Sequence, residues 1–155
     1  MTNQIEKRLA DLGLALPEAA APAANYVPYR IAGTQLFISG QLPMGPGGIA
    51  AQGRLGQDVT LESGQSAARQ CALNLLAQAK AALGGDLTRI KSCIKIGVFV
   101  SSTPDFYDHH LVANGVSDLI AEALGPAGPH ARAAVGVACL PLNAAVEADA
   151  VFEIG

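Results

Sequence analysis

The nine residues from Val146 to Ile154 constrain the fold more than any other stretch. Val146, Ala148, Ala150, Phe152 and Ile154 form one row, and Glu147, Asp149, Val151 and Glu153 form the other. A period of two belongs to a β-strand, and a strand with one apolar and one acidic row has one face on a core. Other segments must cover that apolar row, and two have helical periodicity. Across 61–83, Ala67, Cys71, Leu75, Ala79 and Leu83 recur every four residues, with Thr60 or Ser63 placed to cap the start and Gly84-Gly85 to end it. Across 108–124, Leu111, Val112, Val116, Leu119, Ile120 and Ala123 make a second stripe, ended by Gly125-Pro126.

The remaining strands follow from shorter patterns. Tyr29–Ile31 and Thr34–Ser39 flank a tight turn at Ala32-Gly33. In Cys93–Ser101, Ile94, Ile96, Val98 and Val100 share one face, and Cys93, Lys95, Gly97 and Phe99 the other. Arg132–Cys139 and Ala145–Ile154 are joined through Leu140-Pro141-Leu142-Asn143. Residues 3–13 predict a short helix with Ile5, Leu9 and Leu12 on one side. Pro17, Pro22 and Pro28 make 15–28 a linker. Gly40–Gln57 is a Gly/Pro-rich loop, of a length that is usually functional or mobile. The order is ββ-α-β-α-ββ after an N-terminal extension (1–25), which makes 26–155 one α+β domain with both long helices on one sheet face.

The opposite face is mixed. In the Arg132 strand, Ala133, Val135, Val137 and Cys139 make the better core row. That leaves Arg132, Ala134, Gly136 and Ala138 on the far face with Glu147, Asp149, Lys95, Gly97 and Phe99. Sparse charges among small and apolar groups fit a face covered by another subunit, and they also fit a solvated one.

Charge and composition exclude several classes. The formal charge is −3 and no Lys/Arg run exists. Binding to nucleic acid relies on clustered positive charge, so a polynucleotide partner is not expected. Cys71, Cys93 and Cys139 lack CxxC or zinc spacing and read as buried thiols. No window approaches the ~20 apolar residues of a membrane helix, and the amphipathic start lacks a signal-peptide core. A cytoplasmic location is the expectation. Asp105, Asp108, His109 and His110 lack the His-x3-His helical spacing, so no metal site is expected. Gly45, Gly47, Gly48 and Gly53 are not followed by Gly-Lys-Ser/Thr, and Ser39-Gly40 is not a Gly-x-Ser-x-Gly elbow.

Arg132 is the first candidate for chemistry. Its planar donor fork matches a carboxylate at two points, and it follows the rigid stretch Gly125–His130. The competing reading is an ion pair with Glu147 or Asp149. Those two carboxylates could also do acid/base work if burial raises one pKa, or they could be purely structural.

Several strings in order resemble one family. Pro28-Tyr29 followed by Leu36-Phe37-Ile38-Ser39-Gly40-Gln41-Leu42-Pro43 resembles the "PY … ISGQ(I/L)P" opening of RidA/YjgF proteins. Gln70-x-x-x-Asn74 resembles their first helix, and Lys95–Val100 with Asp105-Phe106 their "K..VFV.D..DF" strand and turn. His130-Ala131-Arg132 through Leu140-Pro141 resembles "PAR..V.V..LP", and Val146–Ala150 the closing "(V/I)E(I/V)EA". The match runs from about residue 26 to 153.

The resemblance implies a chorismate-mutase-like fold and a homotrimer holding small carboxylates in clefts between subunits. It also implies hydrolysis of 2-imino or enamine acids (2-iminobutanoate/2-iminopropanoate type) to 2-keto acids and ammonia, without metal or cofactor. On the matching positions, Arg132 clamps the substrate carboxylate, Ala134 presents backbone groups to the reacting carbon, and Glu147 orients or activates water. Tyr29 and Asn114 line the site, and Gly40 shapes the backbone beside it. The chain departs from the short members in its N-terminal extension, its 44–58 loop, its expanded turn after Asp105, and Ala134 in place of a common cysteine. A non-catalytic trimer that binds carboxylates or a protein partner is the alternative. A ribonuclease, a label the family carries as endoribonuclease L-PSP, fits the acidic charge less well.

Overall fold

The computed structural model describes residues 3–155. Its elements are α1 (Gln4–Asp11), β1 (Tyr29–Ala32), β2 (Gln35–Gln41), the short pair β3 (Met44–Gly45) and β4 (Gly48–Ile49), α2 (Leu61–Ala82), β5 (Ile90–Ser101), α3 (His109–Leu124), β6 (Ala131–Val137) and β7 (Val146–Ile154). The strands form a mixed sheet in the order β1-β2-β7-β5-β6, in which only β5 and β6 run parallel. The expected α+β, chorismate-mutase-like architecture is observed.

The alternation that predicted β7 places it mid-sheet. Val146, Ala148 and Phe152 are fully buried, with Ala150 and Ile154 nearly so. They meet Leu36 and Ile38 from β2 and Cys93, Ile96, Val98 and Val100 from β5, under α2 and α3. Thr60 caps α2 by accepting from the Ser63 N–H at 3.1 Å. From Cys71 to Ala79 α2 is buried on every side, because the sheet, α3 and the N-terminal strap all pack on it. Its buried amide N–H groups are bonded: Asn74 Nδ2 donates to the Leu42 and Met44 carbonyls (both 2.9 Å), and Gln78 Nε2 donates to the Ala20 carbonyl (2.7 Å), while Gln78 Oε1 has no partner among the described residues. α1 adds Ile5 and Leu9 to the core, whereas Leu12 is exposed.

Two expectations about sheet faces are corrected. In β5 the pairing with β7 shifts between Cys93 and Lys95, so Cys93 turns into the core and Ile94 outward. The larger correction concerns β6. Arg132, Ala134 and Gly136 pair with Ile96, Val98 and Val100, which are core residues. Register partners share a face, so Arg132, Ala134 and Gly136 lie on the helix side. Ala133 and Val135 lie on the far face, where Val135 is 46% exposed. Cys139 is also exposed, so only Cys71 and Cys93 are buried thiols. Burial drives both thiol pKa values up, that of Cys93 to about 12.

The 40–57 segment is less of a loop than expected. β2 runs into it, β3 and β4 form a hairpin within it, and Leu55 is buried and bonded on both sides. Its N–H donates to the Ser101 carbonyl (2.8 Å) and its carbonyl accepts from Thr103 (3.0 Å). Among the described residues, no helix is long and apolar enough to cross a membrane.

Candidate functional site

Among the described residues β6 is an edge strand paired only with β5, so its helix-side residues lie at the margin of the sheet beside α3. From there Arg132 reaches α3. Its Nη1 donates to Asn114 Oδ1 (2.9 Å) and Ser117 Oγ (3.1 Å), and its Nη2 donates to the His110 carbonyl (3.3 Å). Ser117 Oγ also sits 2.8 Å from His130 Nε2, while His130 Nδ1 lies 2.7 Å from the Gly128 carbonyl. That carbonyl can only accept, so His130 Nδ1–H donates to it, and in that tautomer Nε2 accepts a hydrogen bond from the Ser117 hydroxyl. The serine oxygen is thereby left as an acceptor for Arg132. Sequence reasoning missed Ser117 and His130. The i, i+3 spacing of Asn114 and Ser117, on one face of α3, was the signal that could have found the first.

Three of the five guanidinium N–H groups are thus held by neutral partners, which leaves Nε–H and one Nη2–H. Among the described residues the one ion pair is Lys80–Glu6. The reading of Arg132 as the partner of Glu147 or Asp149 is overturned, because β6 turns it to the opposite side of the sheet.

Glu147 and Asp149 are half-buried on the far face of β7. Both carboxylates fold back over glycines of the flanking strands. A Cβ on Gly40 would meet Glu147, whose Cδ would lie at 3.0 Å, and one on Gly97 would meet the carboxylate of Asp149. Asp149 Oδ1 accepts from the Gly97 N–H at 3.1 Å. Burial, followed by the Asp149 charge, raises the Glu147 pKa. Burial also raises that of Asp149, against the Gly97 hydrogen bond and Lys95. Of the two, Glu147 has no hydrogen bond or cation holding its pKa down, so burial and the Asp149 charge favour its protonated form more.

Tyr29 opens β1 opposite Ile38, on the helix side but at the other edge of the sheet. The six candidates fall into three places: Arg132, Ala134 and Asn114 at the β6 edge, Glu147 with Gly40 on the far face, and Tyr29 beyond β2. The Asp105–His110 group does not converge on one point. His109 packs over Gly136, and His110 contributes its carbonyl to Arg132.

The family model described as "YjgF/chorismate mutase-like, putative endoribonuclease" matches residues 6–152. The chain belongs to the YjgF family. Its relatives include Protein TCP17 of Trypanosoma cruzi, 51% identical over 99% of this chain and 96% of that protein. The crystal structure of the protein Atu1372 "with unknown function" from Agrobacterium tumefaciens is 56% identical with a TM-score of 0.92, covering 97% and 92% of the two chains. One from Shewanella oneidensis, named "a putative endoribonuclease", is 39% identical with a TM-score of 0.94 over 98% and 100%. A more distant member, Escherichia coli TdcF with bound serine, is 25% identical with a TM-score of 0.64 over 89% and 94%.

Proposed function

We propose that this YjgF-family chain is a cofactor-independent deaminase of reactive imino and enamine acids, working as a homotrimer with its sites between subunits. The observation that carries the reading is Arg132. A cation anchored by three neutral acceptors, with two N–H groups left over and no carboxylate on it, is prepared for a carboxylate from outside. The serine on TdcF is an example of a small amino acid held by a family member.

In this reading the substrate carboxylate docks on Arg132, and water adds to the C=N carbon. The nitrogen takes up protons, the C–N bond breaks with its electron pair leaving on ammonia, and a 2-keto acid remains. The imine carbon is already electrophilic, so positioning supplies most of the acceleration. Glu147, with its raised pKa, takes the proton from water or delivers one to nitrogen. Within one chain Glu147 and Arg132 face opposite sides of the sheet, so one subunit alone does not assemble the site. The far face also presents Phe37 (41% exposed) and Val135 beside the two carboxylates, a surface suited to burial against a second copy. The β6 edge of one subunit would then meet Glu147 and Gly40 on the far face of its neighbour.

The test is ammonia and keto-acid release from imino acids made in situ by an amino-acid oxidase. Acceleration by the wild type that is absent in Arg132→Ala supports the reading. Keto-acid binding with no acceleration would leave a carboxylate-binding trimer instead. RNA cleavage that co-purifies with the protein and is lost in Arg132→Ala would move the function to the ribonuclease class.

A further inference from the structure

A pocket opens at the far end of the β5–β6 pair, away from Arg132. It is a cavity of about 350 Å³, lined by Arg54, Ser102, Thr103, Phe106, Tyr107 and His109, with Pro104 and the chain from Gly136 to Ala138 completing it. Arg132 is not part of its wall. Gly136 lies four residues farther along β6, which is about 13 Å at strand spacing.

Arg54 is delivered there by the pinned segment around Leu55. Its backbone N–H donates to Asp58 Oδ2 (3.2 Å), and its Nη2 donates to the Ser102 carbonyl (3.0 Å). Its Nε is buried and has no partner among the described residues. Among the described residues the Nη1 hydrogens and the second Nη2 hydrogen also have no partner, and these are the donors that the cavity offers to an acceptor. Ser102 Oγ and His109 Nε2 are 2.9 Å apart, and the His109 ring is held edge-on to Phe106 (centroids 5.2 Å, 87°). The imidazole can sit there because Gly136 has no Cβ: one would fall on the ring, with Ser102 Oγ at 2.8 Å. Among the described residues the lining holds one cationic side chain, Arg54, with the Ser102 and Thr103 hydroxyls and the His109 ring, and no carboxylate, while Pro104, Phe106, Tyr107 and Val137 give it apolar walls.

We infer that this cavity is a second ligand site, for a small monocarboxylic acid with a flat apolar body. The acid group meets Arg54 beside Ser102 and His109, and the body rests on Phe106 and Tyr107. The inference stands apart from the deaminase reading, since it uses none of the same side chains.

The test is titration of the full chain with benzoate, followed by backbone amide NMR shifts. Shifts should saturate in the millimolar range and centre on Ser102, Thr103, His109 and Gly136. Benzamide, the neutral isostere, and Arg54→Gln should each weaken binding roughly tenfold or more, the loss expected for one charge-assisted contact. Tyr107 is 78% exposed, so Tyr107→Ala tests the apolar wall without touching the fold and should weaken binding severalfold. Arg132→Ala should leave it unchanged. Equal binding of benzamide, shifts that vanish in Arg132→Ala but persist in Arg54→Gln, or no saturable shift would each overturn the inference. If Arg54→Gln does not fold, the benzamide and Tyr107→Ala comparisons still decide.

Discussion

Replacing Arg132 with lysine keeps the charge and removes the fork. In the native chain Nη1 is occupied by Asn114 and Ser117 and one Nη2 hydrogen by the His110 carbonyl, so two N–H groups remain for a ligand. A lysine ammonium has three donors on a single atom, and it cannot satisfy α3 and a carboxylate at two points together. The expected loss is one charge-assisted hydrogen bond to the ligand, roughly 1.5–3 kcal/mol, or about 10- to 150-fold in affinity. Folding should suffer less, because the guanidinium is only half-buried and water can replace it at Asn114 and Ser117. Calorimetric titration with 2-oxobutanoate measures the affinity, and thermal melting measures the fold. Binding within twofold of the wild type would refute the argument that geometry, and not charge alone, makes Arg132 the anchor.

Two further outcomes follow from the far face. Glu147 has a raised pKa in the folded chain, mainly from burial and secondly from Asp149. The stability it contributes is therefore full below the ordinary carboxylate range and is lost as pH rises through the raised value. Glu147→Gln removes that loss, so the variant should melt above the wild type at neutral pH and converge with it in acid. A lower melting temperature at neutral pH would contradict the assignment. Gly40→Ala should cost about 1–3 kcal/mol, since its Cβ collides with the Glu147 carboxyl. In a Glu147→Ala background that cost should largely disappear, and denaturant unfolding of the double-mutant cycle checks it. An equal cost in both backgrounds would mean that Gly40 serves the backbone and not the carboxylate.

Much of the fold was legible because amphipathic contrast is strong where the core is built. β7 alternates an apolar row with three acids, and α2 and α3 carry stripes closed by glycines, so their existence and order follow from the residues. The β6 assignment failed for lack of that contrast. Ala131-Arg132-Ala133-Ala134-Val135-Gly136-Val137 is nearly uniform in size and polarity, and neither row is plainly the buried one. Its face is set by parallel register with β5, a contact from a segment some forty residues earlier. The bulge that turns Cys93 inward is likewise a property of pairing with β7.

The site divides along the same line. The sequence determined which groups are available: an arginine at the start of a strand, two carboxylates two residues apart, and the strings that resemble the YjgF family. Tertiary structure decided which of them share a space. It tied Arg132 to Asn114 and Ser117, tucked Glu147 against Gly40 on the other side of the sheet, and carried Arg54 to His109. Side-chain chemistry is local and can be read residue by residue. Which face a weakly amphipathic edge strand presents depends on hydrogen-bond register with distant chain, and only the folded sheet fixes that.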